Sequence, residues 1–252
     1  MLSIIIPAHN EEKRIGAMLE AYTSFFSEKK SVGDIDYEFI VVNNASIDNT
    51  IDIIKKYVKN FKEIRYLDLR DGGKGYAVLE GFKVARGEVI GFVDADMSTP
   101  PKAFYDLYVN IKGYDGLIAS RWLNGSETKR TFGKYIRSMG FNYLVRSLFL
   151  FPYRDTQCGA KVFKNHVIKE LTGNVKSIKW AFDVNLLYLC RKKGFKIKEH
   201  PTIWQDKEGS KISSRVPLQM AAAVIRLRLV HSPFSFIVRA YDKMPEKIKF
   251  HH

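Results

Sequence analysis

The sequence predicts an α/β fold with a mostly parallel, Rossmann-like sheet flanked by helices. Over the first half of the chain, strand-length apolar runs alternate with segments of helical period, the pattern of βαβ units. At 252 residues and 46% hydrophobic content the chain has ample material for a packed core. Each strand-like run is followed by a polar loop, so the repeated unit delivers its loops to one edge of the sheet.

The strands are expected at about 3–8, 38–43, 64–69, 88–94 and 116–121. After the first, Ile15, Met18, Leu19, Tyr22 and Phe26 fall at helical spacing behind Glu11 and Glu12, acidic residues that suit a helix N-terminus. Asp48 and Thr50 likewise precede Ile51, Ile54 and Val58. Beyond Arg121 the regular alternation breaks down and the chain becomes richer in Arg, Lys and aromatics. This second half is expected to be added to the same domain.

Within it, Lys134, Ser138, Asn142 and Arg146 form a polar stripe with period four, and Ile136, Met139, Tyr143, Leu144, Leu148 and Leu150 fill most of the rest. Such an amphipathic helix either lies against a bilayer or packs on the sheet with its polar stripe in water. A second apolar segment, 217–230, contains Arg226 and Arg228 and is followed by Phe234, Phe236 and a Lys-rich stretch at 243–249. Residues 216–252 are therefore a candidate for membrane-surface attachment.

Forty-one Lys and Arg against twenty-seven Asp and Glu give a formal charge of +14, which calls for an acidic partner: nucleic acid, an anionic membrane face or a phosphorylated substrate. The two cysteines, Cys158 and Cys190, lack metal-ligand spacing and fit a reducing compartment. No signal peptide is apparent, and no apolar run approaches the ~20 residues that span a bilayer, so a soluble or peripherally attached protein is expected. The six histidines show no zinc spacing, and no Gly-x-Gly-x-x-Gly follows the first strand, which argues against a dinucleotide-dependent reductase.

The richest stretch is 88–101, where an apolar strand runs into Asp94 and Asp96 and then a Pro-bounded turn. Side chains two apart on an extended chain point the same way, so both carboxylates can address one ligand. Hard oxygens of this kind favour Mg²⁺ or Mn²⁺. The alternative is a simple cap on the helix starting near Pro100. The loops Pro7 to Glu12, Asn43 to Asp48, Asp71 to Gly75 and Asp94 to Thr99 together offer amides, carboxylates and one lysine, enough to enclose a nucleotide diphosphate. Lys74, between Gly73 and Gly75, has the features of an anion contact, because the glycines permit close backbone approach and the ammonium is mobile.

Four segments, Ser3 to Glu12, Val42 to Thr50, Gly73-Lys-Gly-Tyr-Ala77 and Asp94-Ala-Asp96, resemble in order and placement the motifs of glycosyltransferase family 2, whose members have the GT-A fold. The resemblance covers roughly 2–215, with 1–121 as the nucleotide-sugar half and 122–215 as the acceptor half. Arg121 after Ala-Ser, Asp155-Thr-Gln-Cys-Gly-Ala-Lys-Val-Phe163, Phe182-Asp183 and Glu208-Gly-Ser-Lys211 are most similar to the dolichyl-phosphate β-glucosyltransferases. The mannosyltransferases share a looser version.

By position, the resemblance implies that Pro7, Ala8, His9, Glu11, Asn43 and Asn44 surround the base and ribose and that Lys74 meets the diphosphate; Asp155 and Gln157, in a loop after the amphipathic helix, either orient the donor sugar or simply cap the turn. Asn44 stands where many relatives hold a base-contacting aspartate. It implies Asp94, Ala95 and Asp96 at the donor, with Asp94 and Asp96 as ligands of Mg²⁺ or Mn²⁺ and Ser98 where some relatives have a metal-joining glutamine. Arg121, Lys134 or Arg137, and Lys211 form the implied cradle for an acceptor phosphate, while Lys161 and Lys164 are expected on the surface. Asp183 sits where sugar-to-sugar members keep a base, or else is a positioning residue.

The activity expected from this resemblance is an inverting, metal-dependent transfer of glucose from UDP-glucose to a dolichyl or polyprenyl phosphate at the cytoplasmic face of a membrane. GDP-mannose as donor, or a sugar hydroxyl as acceptor with Asp183 as base, are the alternatives. A nucleic-acid partner is not expected, because Asp94 and Asp96 would repel phosphate unless a metal intervened.

Overall fold

The computed structural model of the chain describes residues 1–129, 131–173, 181–206, 216–236 and 238. In chain order the elements are β1 (Leu2–Ala8), α1 (Ile15–Ser31), β2 (Tyr37–Asn44), α2 (Thr50–Asn60), β3 (Ile64–Leu69), α3 (Lys74–Val84), β4 (Val89–Phe92), α4 (Pro101–Val109) and β5 (Gly116–Ser120). There follow β6 (Glu127–Lys129), α5 (Phe132–Phe149), β7 (Lys161–Lys164), α6 (Asn165–Leu171), α7 (Phe182–Lys192), β8 (Ile197–Pro201), β9 (Ile203–Gln205) and α8 (Val216–Val230). All five expected strands form.

Seven strands make one sheet in the order β3-β2-β1-β4-β7-β5-β8. β1 is an inner strand, parallel to its neighbours β2 and β4, and its Ile4 and Ile6 face one layer of helices while Ile5 faces the other. On the first side Met18, Leu19, Tyr22 and Phe26 of α1 meet Phe104 and Leu107 of α4; on the second, Ala77, Val78 and Phe82 of α3 meet Phe182 and Leu186 of α7. Burial on both faces is why β1 and β2 read as unbroken apolar runs.

β7 is antiparallel to both neighbours, between β4 and β5. The second half of the chain therefore completes the sheet that the first half begins. In this register Phe92 pairs with Lys161, which sets the start of β7 beside the end of β4.

A third core gathers Ile118, Val145, Phe149, Val184, Leu187, Val224 and Leu227, tying α5 and α8 to α7 and β5. The expected polar stripe on α5 is not the solvent face: Asn142 is buried with Val145 and Phe149, whereas Tyr135, Ile136, Met139 and Tyr143 are exposed. Packing against α7 and α8 sets the helix so that part of its apolar surface is exposed among the described residues.

Both cysteines are buried and free, and burial pushes the Cys158 thiol up to about 11 and the Cys190 thiol up to about 12.

Candidate active site

Parallel alignment of β1, β2 and β4 brings their carboxyl ends to one edge, where a cavity of about 170 Å³ opens. The loop after β1 supplies Pro7, His9 and Glu11, the end of β2 supplies Asn44, the first turn of α3 supplies Lys74, and the loop after β4 supplies Asp94, Ala95 and Asp96. Eight of the expected donor-side residues thus converge. Ala8 is instead part of the core, and Asn43 is drawn toward β3, its Nδ2 donating to Asp68 Oδ1 at 2.7 Å.

The loops are held in demanding conformations. Asn10, Ala45 and Met97, in the loops after β1, β2 and β4, have φ of 54°, 53° and 60°. Non-glycine residues take this left-handed region seldom, and such strain concentrates at functional sites. Cross-loop bonds hold it: Asn10 Oδ1 accepts from Ile47 N–H at 2.9 Å, and Thr50 Oγ1 accepts from Glu11 N–H at 2.8 Å. His9 Nδ1 lies 2.7 Å from the Asn44 carbonyl oxygen, which can only accept, so the proton sits on Nδ1. Asn44 Oδ1 accepts from Gly73 N–H at 2.8 Å and ties the third loop in.

The two glycines flanking Lys74 have different tasks. Gly73, at φ 144°, turns the chain into α3, while a Cβ on Gly75 would lie 2.6 Å from Phe182. The close approach expected of Gly75 toward a ligand is in fact made to Phe182.

Lys74 Nζ lies 2.6 Å from Asp94 Oδ1. Burial alone would lower the lysine's pKa, but Asp94 and Asp183 outweigh it and raise it. Burial, with Asp96 nearby and against the pull of Lys74, raises the Asp94 carboxyl above its usual range. Glu11 is raised too, by burial against the opposing Arg14 pair, with Asp96 and Asp94 adding to the rise. Asp96 Oδ1 accepts from Ser98 N–H at 2.9 Å, and α4 has no side-chain cap, so the helix-cap alternative for Asp-x-Asp fails.

Among the described residues no three or more His, Cys, Asp and Glu groups gather as a metal cage. Asp94 and Asp96 nevertheless suit a hard cation: both offer carboxylate oxygens to one cavity, and Asp94 bears the cost of a like-charged neighbour. Two carboxylates, with the rest of the shell from ligand phosphates and water, is a usual Mg²⁺ arrangement.

Below the cavity lie two ion pairs. Lys161, expected on the surface, is 0% exposed: its Nζ donates to Asp183 Oδ1 at 2.5 Å and to the Cys158 carbonyl at 2.7 Å. Burial opposes ionisation of Asp183, but Lys161 and then Lys74 outweigh it and hold the carboxyl below its usual range. Gly159 closes this floor against Asp94, since a Cβ there would lie 1.9 Å from Asp94 Oδ2.

Arg121 is engaged as well. Its Nε and Nη2 donate to Asp155 Oδ2 and Oδ1 at 2.6 and 2.9 Å, its backbone N–H to Oδ2 at 3.0 Å, and its guanidinium lies over Trp204. Asp155 is fully buried, and Glu199 accepts from the backbone N–H groups of Arg154 and Asp155, both at 2.8 Å. The open fork expected of Arg121 is thus closed by a strap between β5 and the loop before β7. Asp155 and Gln157 belong to that loop and do not line the cavity; Arg137 is exposed on α5; Lys211 and the side chain of Lys134 lie outside the described part of the structure.

Sequence reasoning missed Lys161, Gly159 and Glu199 as parts of this floor. The run Asp155-Thr-Gln-Cys-Gly-Ala-Lys161 carried a signal for the first two.

Comparison with known proteins accords with this geometry. A dolichyl-phosphate β-glucosyltransferase of Dictyostelium discoideum is 33% identical over 240 residues, covering 90% of this chain and 73% of that protein. That of Drosophila melanogaster is 36% identical over 226 residues, covering 84% and 69%. The fold is similar to that of glucosyl-3-phosphoglycerate synthase from Mycobacterium tuberculosis, solved with Mn²⁺, uridine diphosphate and glucosyl-3-phosphoglycerate, with a TM-score of 0.64 at 16% identity over 92% of this chain and 79% of that one. At that identity the likeness concerns the fold, which is GT-A. Residues 3–172 match the description Glycosyl transferase family 2, and with that match taking in six of the seven strands of the sheet, the acidic pair and the lysine of the cavity, the chain belongs to this family.

Proposed function

We propose that the protein transfers glucose from UDP-glucose to a dolichyl or other polyprenyl phosphate, with inversion, at the cytoplasmic face of a membrane. The observation that carries the reading is the convergence of Asp94, Asp96 and Lys74 in one cavity at the carboxyl edge of the sheet. The relatives named for this reaction, at 33% and 36% identity, support the acceptor class and the sugar. Residues 1–215 act as one catalytic unit in this reading.

The roles follow from charge. Pro7, His9, Glu11 and Asn44 would take base and ribose, and Lys74, at the N-terminus of α3, would meet the diphosphate, where a helix end also favours anions. Asp94 and Asp96 would hold Mg²⁺ or Mn²⁺, which when bound helps neutralise the charge gathering on the departing nucleoside diphosphate. In the transfer an acceptor phosphate oxygen bonds to C1 of the sugar from the face opposite the diphosphate, and the electron pair of the breaking C1–O bond leaves with the diphosphate. The nucleophile is already ionised at neutral pH, because a phosphate monoester has a second pKa of about 6. No general base is needed. Asp183, clamped by Lys161 in its charged form, then serves as a positioning residue for Lys74 and the sugar.

Membrane association is part of the proposal. Among the described residues no helix is long and apolar enough to cross a bilayer. Tyr135, Ile136, Met139 and Tyr143 on α5, with Phe234 and Phe236 after α8, expose apolar surface on a chain of net charge +14. Such a combination suits an anionic interface.

The test is a panel of labelled nucleotide sugars offered with polyprenyl phosphate, with and without Mn²⁺, following label into the organic phase. UDP-glucose should be used best. Transfer from GDP-mannose in preference moves the protein to the mannosyl reaction, and transfer only to a sugar hydroxyl overturns the acceptor.

A further inference from the structure

A second hollow, of about 330 Å³, lies between α5 and the loops that carry the Arg121–Asp155 pair, lined by Trp122, Met139, Asn142, Tyr143, Arg146 and Arg154. It shares no lining residue with the cavity at the carboxyl edge. We propose that this hollow takes the phosphate head of the lipid acceptor, with Arg146 and Arg154 as its cations and Asn142 as its neutral partner.

Three observations carry this. Asn142 is only 5% exposed, yet among the described residues neither its Oδ1 nor its Nδ2 has a hydrogen-bond partner. Buried amides without partners are rare in folded proteins, and one that lines a hollow is matched to a ligand that would satisfy it. Next, the side chains of Arg146 and Arg154 form no ion pair among the described residues, in contrast to Arg121, Lys74 and Lys161. Guanidinium groups bind phosphate oxygens in pairs of parallel hydrogen bonds, so two of them beside an amide form a site for a phosphomonoester dianion.

The third observation concerns the rest of the ligand. Met139 and Tyr143 stand in the wall of the hollow and continue along α5 into the exposed Tyr135 and Ile136, residues that share a face by their three- and four-residue spacing. A polar head of two charges flanked by an apolar path describes an amphiphile, a phosphate on a hydrocarbon chain. The hollow also adjoins the chemistry: Trp122 follows Arg121 and Arg154 precedes Asp155, and the Arg121 guanidinium feels the charge of Asp94. It differs from the cradle expected from Arg121, Lys134 or Arg137, and Lys211, of which Lys211 and the side chain of Lys134 lie outside the described residues. It rests on the reading of the protein as a lipid-phosphate glucosyltransferase.

The experiment measures equilibrium binding by calorimetry without any donor sugar, using citronellyl phosphate, citronellol and inorganic phosphate as separate probes, on the wild type, R146Q/R154Q and N142L. Citronellyl phosphate should bind the wild type, with citronellol and inorganic phosphate each at least tenfold weaker. R146Q/R154Q should lose at least tenfold in affinity for citronellyl phosphate while UDP binding stays unchanged, and in turnover should raise the acceptor KM rather than lower kcat. N142L should melt higher than the wild type, having lost an unpaired buried amide, and bind citronellyl phosphate more weakly. Unchanged affinity in R146Q/R154Q overturns the site, and equal binding of inorganic phosphate overturns its assignment to a lipid. Failure of the wild type to transfer glucose from UDP-glucose is read separately and overturns the function, not the site.

Discussion

Lys161 Nζ and Asp183 Oδ1 meet at 2.5 Å beneath the cavity, with the lysine fully enclosed and its second hydrogen bond spent on the Cys158 carbonyl. The pair joins the start of β7 to the first turn of α7 through two residues 22 apart in sequence. A buried charge left without its counterion costs several kcal/mol, because its solvation is not regained. K161M should therefore destabilise the protein by about 3–5 kcal/mol in urea unfolding, and K161M/D183L should recover most of that loss. A single variant as stable as the wild type would show that the pair is solvated.

If Asp183 positions rather than abstracts a proton, D183N should lower turnover without removing the dependence of rate on an ionised group near pH 6, which belongs to the acceptor phosphate. The pH profile of kcat/KM for wild type and D183N decides this. Loss of the acid limb in D183N would make Asp183 the base and the acceptor a hydroxyl.

The fold was legible where physics acts locally. β1, β2, β4 and β5 are buried from both sides and read as apolar runs, the edge strand β3 alternates in burial, and the end of β2 with the loops after β1 and β4 held Asn44, Glu11, Asp94 and Asp96 in view. What was hidden depends on register. Lys161 opens a four-residue strand bounded by lysines and reads as a surface residue until the antiparallel pairing with β4 seats it beside Phe92. Arg121 read as an open cation because its partner, Asp155, lies 34 residues away. On α5 the four-residue polar period was real, but contacts with α7 and α8 decided which side faced water and buried Asn142.

Gly159 lies against the acidic pair, and its missing side chain is what lets Asp94 sit there: a Cβ would intrude to 1.9 Å from Oδ2. G159A should displace the carboxylate, and misplacement by about 1 Å can cost on the order of 10²-fold in kcat/KM. Gly140, on α5, is exposed and has nothing within 4 Å of where a Cβ would stand, so G140A should instead stabilise by about 0.5–1 kcal/mol through helix propensity. Steady-state kinetics and thermal melts on both variants separate the two kinds of glycine.

Acid should loosen this floor. Burial works against the charged forms of Asp155 and Asp183, but Arg121 and Lys161 outweigh it and hold both carboxyls below the unfolded value of about 3.9. A depressed folded pKa means the unfolded chain takes up protons first, so this stabilisation is complete above about pH 4–5 and is lost as pH falls through the folded values. Unfolding free energy measured from pH 6 down to pH 2 should fall steeply below about pH 4, and more gently in K161M/D183L.

Asp96 offers the cleanest probe of cation binding, since its structural duty is a single acceptor bond from Ser98 N–H that an asparagine can also take. D96N should fold normally and melt no lower than the wild type, because the substitution removes a negative charge from beside Asp94 and Glu11. A ligand that binds only the folded state raises the melting temperature in proportion to its occupancy. UDP with Mn²⁺ should therefore raise the melting temperature of the wild type above that with UDP alone, and in D96N the two should coincide. Turnover should fall on the order of 10²- to 10³-fold, the usual cost of losing one stabiliser of developing negative charge. An undiminished Mn²⁺-dependent shift in D96N would move the cation away from this carboxylate and leave Asp94 to be explained by Lys74 alone.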